Sequence, residues 1–161
     1  MEQNQHSCCS SPKNIDIKPV CRVCGNSGTP VTAITIESLV RKERRSQLAL
    51  PEGFSFCHTP DCAVVYFNND TDKYIEKGDV NVRVGIKETE DPVPLCYCFG
   101  WTQKRIDDEI TRTGKSLAVE DIMNRMKTAG CNCERSNPSG GCCLKDVIKY
   151  LATAQERIRQ K

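Results

Sequence analysis

The sequence predicts an α+β fold, a small β-rich module followed by a helical one, and three observations carry that expectation. Before residue 90 the apolar residues come in short β-branched and aromatic runs, whereas after Cys96 they recur at spacings of three and four between capping residues. Leu, Ile, Val and Phe together make up only 34 of the 161 residues, close to the roughly 20% below which a chain struggles to bury a core. The chain also carries 12 cysteines in spaced groups, so something other than apolar packing is expected to hold it together.

Taken in order, residues 1–18 are polar, rich in Ser, Asn and Gln, and read as a flexible tail. A β-rich module is expected over 19–93. It begins near Pro19 and includes a short helix over Thr35–Arg45 and β runs at Phe54–Phe56 and Ala63–Phe67. Asp79–Ile86 alternates strictly, with apolar side chains at every second position, and predicts a half-buried strand after a turn at Lys77–Asp79. Glu88–Pro94, with three acids and two prolines, cannot continue either kind of element and predicts a linker. The helical module then spans 94–161. Thr102 caps a helix over Gln103–Arg112, which places Ile106 and Ile110 four apart and ends before Gly114. Ser116 caps a second helix running to about Thr128, with Val119, Ile122, Met123 and Met126 on its apolar face and Gly130 as its stop. A third helix is expected over Leu144–Arg159, turning Val147, Ile148 and Leu151 inward.

Lys and Arg number 23 against 21 Asp and Glu, a formal charge of +2, which gives no electrostatic case for nucleic acid or a membrane surface as partner. The N-terminus has no apolar stretch of signal-peptide character and no run is long enough to span a bilayer, which predicts a cytoplasmic protein without membrane insertion. Thiols in that compartment are kept reduced, so dense cysteine reads as metal ligation ahead of disulfides. Hydrolytic catalysis has no visible apparatus: there is no Gly-rich phosphate loop and no Ser/His/Asp set, and only two histidines are present.

Cys21-x2-Cys24 and Cys57-x4-Cys62 are two short-loop pairs separated by 32 residues. Such pairs bring four thiolates to a tetrahedral Zn²⁺, and four protein ligands leave no open position, so the site is expected to be structural. His58 lies inside the second loop and is the alternative to one of those cysteines. A second group comprises Cys96-Tyr97-Cys98, Cys131-Asn132-Cys133 and Cys142-Cys143. Its C-x-C start is less usual for zinc. Cys98 and Cys143 each precede a helix whose N-terminal N–H groups favour an anionic thiolate-ligated centre, which suits an iron–sulfur site. Trp101, three residues past Cys98, reads as a core aromatic, and Arg41–Arg45 as a solvated helix face.

These residues carry a resemblance. Cys96-Tyr97-Cys98 before a Thr-capped helix, then Gly130–Cys133 and Asn137–Cys143, resemble the [2Fe–2S] part of the N-terminal domain of CopZ-type copper chaperones, itself similar to the helical fold of bacterioferritin-associated ferredoxin. Cys21-x2-Cys24, Phe56-Cys57-x4-Cys62 with Val64–Asn68, and Val82–Glu88 resemble the zinc-binding half of the same domain, so the likeness covers about residues 19–155. It implies structural zinc at Cys21, Cys24, Cys57 and Cys62, and a [2Fe–2S] cluster at Cys96, Cys98, Cys133 and Cys143, with Cys131 and Cys142 as substitutes for their neighbours. It also implies an electron carrier that reduces Cu(II) to Cu(I), with metal reductase activity in place of classical enzyme chemistry. The family's C-terminal copper-binding domain, with its Met-x-Cys-x-x-Cys loop, does not follow Lys161 in this sequence. The expected partners are therefore an electron donor and a separate copper chaperone or copper-transporting ATPase. His6 with Cys8-Cys9 offers soft-metal ligands, against the plainer reading of incidental thiols in a tail. The competing function is a zinc-only, non-redox adaptor for a metal transporter or regulator.

Overall fold

Four short strands make the sheet of the N-terminal half in the computed structural model, which describes residues 18–160: β1 (Thr29–Pro30), β2 (Ser55–Phe56), β3 (Val64–Asn68) and β4 (Lys73–Glu76). All pair antiparallel in chain order, with Phe56 opposite Tyr66 and Phe67 opposite Tyr74. Every residue of β3 is buried, and a bulge between Val64 and Tyr66 breaks its alternation. Val65 and Tyr66 thus pack with Ile36, Val40, Phe54 and Ile75, while Val64 and Phe67 pack against Cys21, Cys57 and Cys62. One side of a small sheet is held by apolar side chains and the other by thiols.

The expected helix over Thr35–Arg45 is two pieces, α1 (Ala33–Leu39) and α2 (Lys42–Arg45). Between them Val40 is extended and bridges Val80, and the Arg41 N–H donates to Asp79 O. The bridge costs the helix its continuity. Asp79–Ile86, expected as a strand, is not one. A 3₁₀ turn occupies Lys77–Asp79 and another Gly85–Lys87, with only Val80 and Val84 buried between them and Ile86 exposed. Its backbone groups are satisfied by loops and side chains: Asn81 N–H donates to Leu39 O at 2.8 Å, and the Tyr97 hydroxyl accepts from Gly85 N–H and donates to Arg83 O, each at 2.8 Å. Those tertiary partners replace a neighbouring strand.

The helical half opens on a hairpin, β5 (Pro94–Cys96) with β6 (Trp101–Thr102), which carries the Cys96-x-Cys98 loop. Helix α3 (Gln103–Thr113) follows, its first turn capped by Thr102 Oγ1, which accepts from Arg105 N–H at 3.1 Å, and Gly114 ends it. Helix α4 (Ala118–Ala129) stops at Gly130; its core residues are Ala118 and Ile122, and Met123 lies outside. A single-turn helix that the sequence pattern did not signal, α5 (Cys133–Ser136), precedes α6 (Leu144–Arg159). In α6 Val147 and Ala154 are buried, whereas Ile148 is exposed. Cys96, Trp101, Ile106, Ile110, Ile122, Cys143 and Val147 share one core.

Polar bonds join the two halves. Thr35 Oγ1 donates to Glu134 O, Thr32 Oγ1 to Glu134 Oε1, and the fully buried Tyr66 hydroxyl to Pro138 O, all at 2.7 Å. Among the described residues no helix is long and apolar enough to cross a membrane. His6, Cys8 and Cys9 lie outside the described residues.

Candidate metal centres

The first centre begins with a tight knuckle. Cys21 O accepts from Gly25 N–H at 2.7 Å, Cys21 N–H donates to Asn26 O at 2.9 Å, and Gly25 takes φ +75°, where a Cβ is disfavoured. The second loop leaves β2 at Phe56: Cys57 N–H donates to Val65 O at 2.9 Å, and Cys62 N–H to Thr59 O at 3.2 Å. These two turns set the Sγ atoms of Cys21, Cys24, Cys57 and Cys62 all within 4.8 Å of one another, with Cys24 and Cys57 3.7 Å apart. In a tetrahedral thiolate site with metal–sulfur bonds of about 2.3 Å, the sulfurs lie about 3.8 Å apart. The donor set therefore suits a zinc ion. His58 is not among the converging donors: it bonds Thr29 Oγ1 at 2.8 Å and sets its ring edge-on to Phe56.

The thiols also show why a cation belongs there. The Thr59 hydroxyl, 3.3 Å from Cys24 Sγ, draws the Cys24 thiol down to about 6, while burial pushes Cys62 up to about 12 and raises Cys21. Crowded buried thiols cannot all ionise on their own, and a divalent ion removes that conflict.

The structure supplies one partner that the sequence did not reveal. Lys87 is only 6% exposed, and its Nζ donates to Thr59 O at 2.6 Å and Cys62 O at 3.0 Å, closing the carbonyl side of the second loop. A lysine just past an alternating run reads as solvent-facing, and nothing local marks it otherwise.

In the helical half six cysteines separate by burial. Cys96, Cys133 and Cys143 are buried, Cys98 is half-buried, and Cys131 and Cys142 are exposed. Cys98 Sγ lies 3.7 Å from Cys133 Sγ, and Cys96 and Cys143 share one buried core. The neighbouring Cys143 thiol draws Cys96 down to about 7 and Cys96 in turn pushes Cys143 far up, while burial pushes Cys133 up to about 12. The Asn132 backbone N–H donates to Cys98 Sγ at 3.3 Å. Trp101 beside them is buried, donates Nε1–H to Asp121 at 2.8 Å and lies under the Arg105 guanidinium at 3.7 Å. Arg41 and Arg44 of the basic run bond backbone carbonyls, Val80 O and Tyr74 O.

A short antiparallel sheet holding a four-thiol centre, followed by helices, defines a zinc-binding α+β domain. Residues 18–81 match the CopZ-type family described as a zinc binding domain. The chain is 38% identical over 123 residues to the copper chaperone CopZ of Archaeoglobus fulgidus, a match that takes in 76% of this chain and 57% of the relative's length. It also aligns with the X-ray structure of the Archaeoglobus fulgidus CopZ N-terminal domain at a TM-score of 0.67 and 36% identity, covering 81% of this chain and 95% of that one. The chain belongs to the CopZ family and corresponds to its N-terminal domain.

Proposed function

We propose that this chain is a zinc- and [2Fe–2S]-binding electron carrier whose acceptor is Cu(II), reduced to Cu(I) in copper handling. The observation that carries the reading is the gathering of thiols in the helical half: Cys98 and Cys133 lie 3.7 Å apart, and Cys96 and Cys143 share the buried core that Cys98 packs against. A [2Fe–2S] core takes four thiolates, two on each iron, so a set of four gathered thiols suits it. Cys96, Cys98, Cys133 and Cys143 are the proposed ligands, and Cys131 and Cys142 are left free by their exposure. When bound, the cluster supplies a one-electron couple, and copper enters as substrate, taking one electron in passing from Cu²⁺ to Cu⁺.

The chain's own groups fit that task. The Asn132 N–H, 3.3 Å from Cys98 Sγ, stabilises added negative charge there and raises the reduction potential. Trp101 and the apolar core exclude water from the buried side of these thiols. Zinc at Cys21, Cys24, Cys57 and Cys62 has four ligands, no open position and no redox chemistry, and so serves to fold the module of residues 19–93 ahead of the cluster module, 94–161. The likeness to a copper chaperone supports copper as the acceptor and, as partners in the cytoplasm, an electron donor and a separate copper chaperone or transporting ATPase. The test is direct: protein reduced anaerobically and freed of reductant is mixed with Cu²⁺ and a Cu⁺-specific chelator. One Cu⁺ per reduced protein, with return of the oxidised visible spectrum, is expected. No Cu⁺ from a protein that carries the cluster would refute copper reduction.

A further inference from the structure

We propose that residues 83–88 form a strap that ties the two metal loops together, with Lys87 and Tyr97 as the positioning residues at its ends. The proposal rests, at one end, on the reading that Cys96 and Cys98 hold a cluster.

Tyr97 is the residue between those two cysteines, and its hydroxyl binds the strap twice, accepting from Gly85 N–H and donating to Arg83 O. Two residues beyond Gly85, Lys87 Nζ binds the zinc loop twice, at Thr59 O and Cys62 O. The strap is pressed between these grips. A Cβ on Gly85 would overlap the Pro94 carbonyl oxygen, on the strand that leads into Cys96. It is stiffened as well: Lys77 Nζ donates to Lys87 O at 3.0 Å, and Glu88 pairs with Lys77 at 3.1 Å and Arg83 at 2.9 Å. Arg83 also donates to Pro92 O and Glu90 O, which fixes the loop that enters the cluster hairpin. A buried lysine ordinarily neutralises a carboxylate; this one is committed to loop carbonyls, which makes its role positional. Loosening the zinc loop therefore frees Lys87, shifts the strap and releases the Tyr97 side of the cluster loop. The reverse sequence holds equally, because coupling between two sites is reciprocal.

The test uses metal-loaded full-length protein and reads each site when the other end is cut. Tyr97→Phe keeps the ring, touches no zinc ligand, and is expected to speed zinc capture by excess chelator roughly two- to tenfold, the range set by the hydroxyl's hydrogen bonds. Lys87→Met is expected to change the visible circular dichroism of the cluster and quicken its bleaching. The double variant should lose zinc no faster than Lys87→Met alone, since both cuts sever one strap. As a control, Tyr150→Phe removes a hydroxyl bonded to Asp107 at 2.9 Å and Arg157 at 3.0 Å but to no residue of the strap, and should leave zinc capture at the wild-type rate. Wild-type zinc capture in Tyr97→Phe, or additive effects in the double variant, would overturn the proposal. If Lys87→Met does not fold, the Tyr97→Phe and Tyr150→Phe pair decides alone. A wild-type protein without iron would refute the cluster reading, while the zinc measurement would still judge the strap.

Discussion

Tyr66→Phe probes the seam between the two halves with one atom removed. The hydroxyl belongs to a residue with no solvent exposure and donates to the carbonyl of buried Pro138 at 2.7 Å. Burial raises the phenol above its usual value of about 10, so it stays protonated and donating across the working pH range. The phenylalanine ring fills the same space among Phe56, Val65 and Ile75, so no packing is lost. What changes is one hydrogen bond and an acceptor left stranded in the interior, together about 2 kcal/mol. For a chain of this length that corresponds to a fall in Tm of roughly 4–8 °C. Melting is followed by far-UV circular dichroism with both proteins fully metal-loaded, so that differential metal binding does not shift the curves. A fall below about 1 °C would show that the bond does not hold the seam in solution.

Cys131→Ser and Cys142→Ser are each expected to keep the visible colour of the protein, because both side chains are exposed, whereas Cys133→Ser and Cys143→Ser should lose or alter it; absorption after anaerobic purification checks all four. Gly85→Ala forces a Cβ into the Pro94 carbonyl and should destabilise the protein by about 3 kcal/mol, seen as a Tm loss near 10 °C. Burial works against ionisation of Glu88, yet hydrogen bonds from Arg83 and Lys77 outweigh it and hold the carboxyl below its usual range. Its stabilisation is thus fully present above the unfolded value of about 4.3 and is lost as pH falls through the lower folded value. The Tm gap between wild type and Glu88→Gln, measured at matched pH, should be full at pH 6 and close below about pH 4; a gap that widens in acid would contradict the assignment.

The sequence declared what local chemistry controls. Thr102, Gly114 and Gly130 bounded helices α3 and α4, the span of α6 was plain from its periodicity, and the two cysteine knuckles announced the four-thiol centre. It misled where distant partners override local pattern. Val80 and Val84 alternate like strand residues, but Leu39 and Tyr97 take the backbone groups that a neighbouring strand would have used. The break at Val40 has no proline or glycine to mark it, because the bridge to Val80 makes it. Ile148 and Met123 obey helical spacing and still face out, since Ala154 and Ala118 supply the close-packed positions. Lys87 is the furthest from legible: the carbonyls that bury it come from a loop 25 residues away.

On the proposed reading, one chain holds zinc at one set of four thiols and an iron–sulfur cluster at another. Metal analysis of anaerobically purified protein, paired with electron paramagnetic resonance after reduction, tests it most directly. One zinc and two irons per chain, with a paramagnetic signal that appears on taking up one electron, is the expected result. A colourless protein with two zincs and no iron would contradict it.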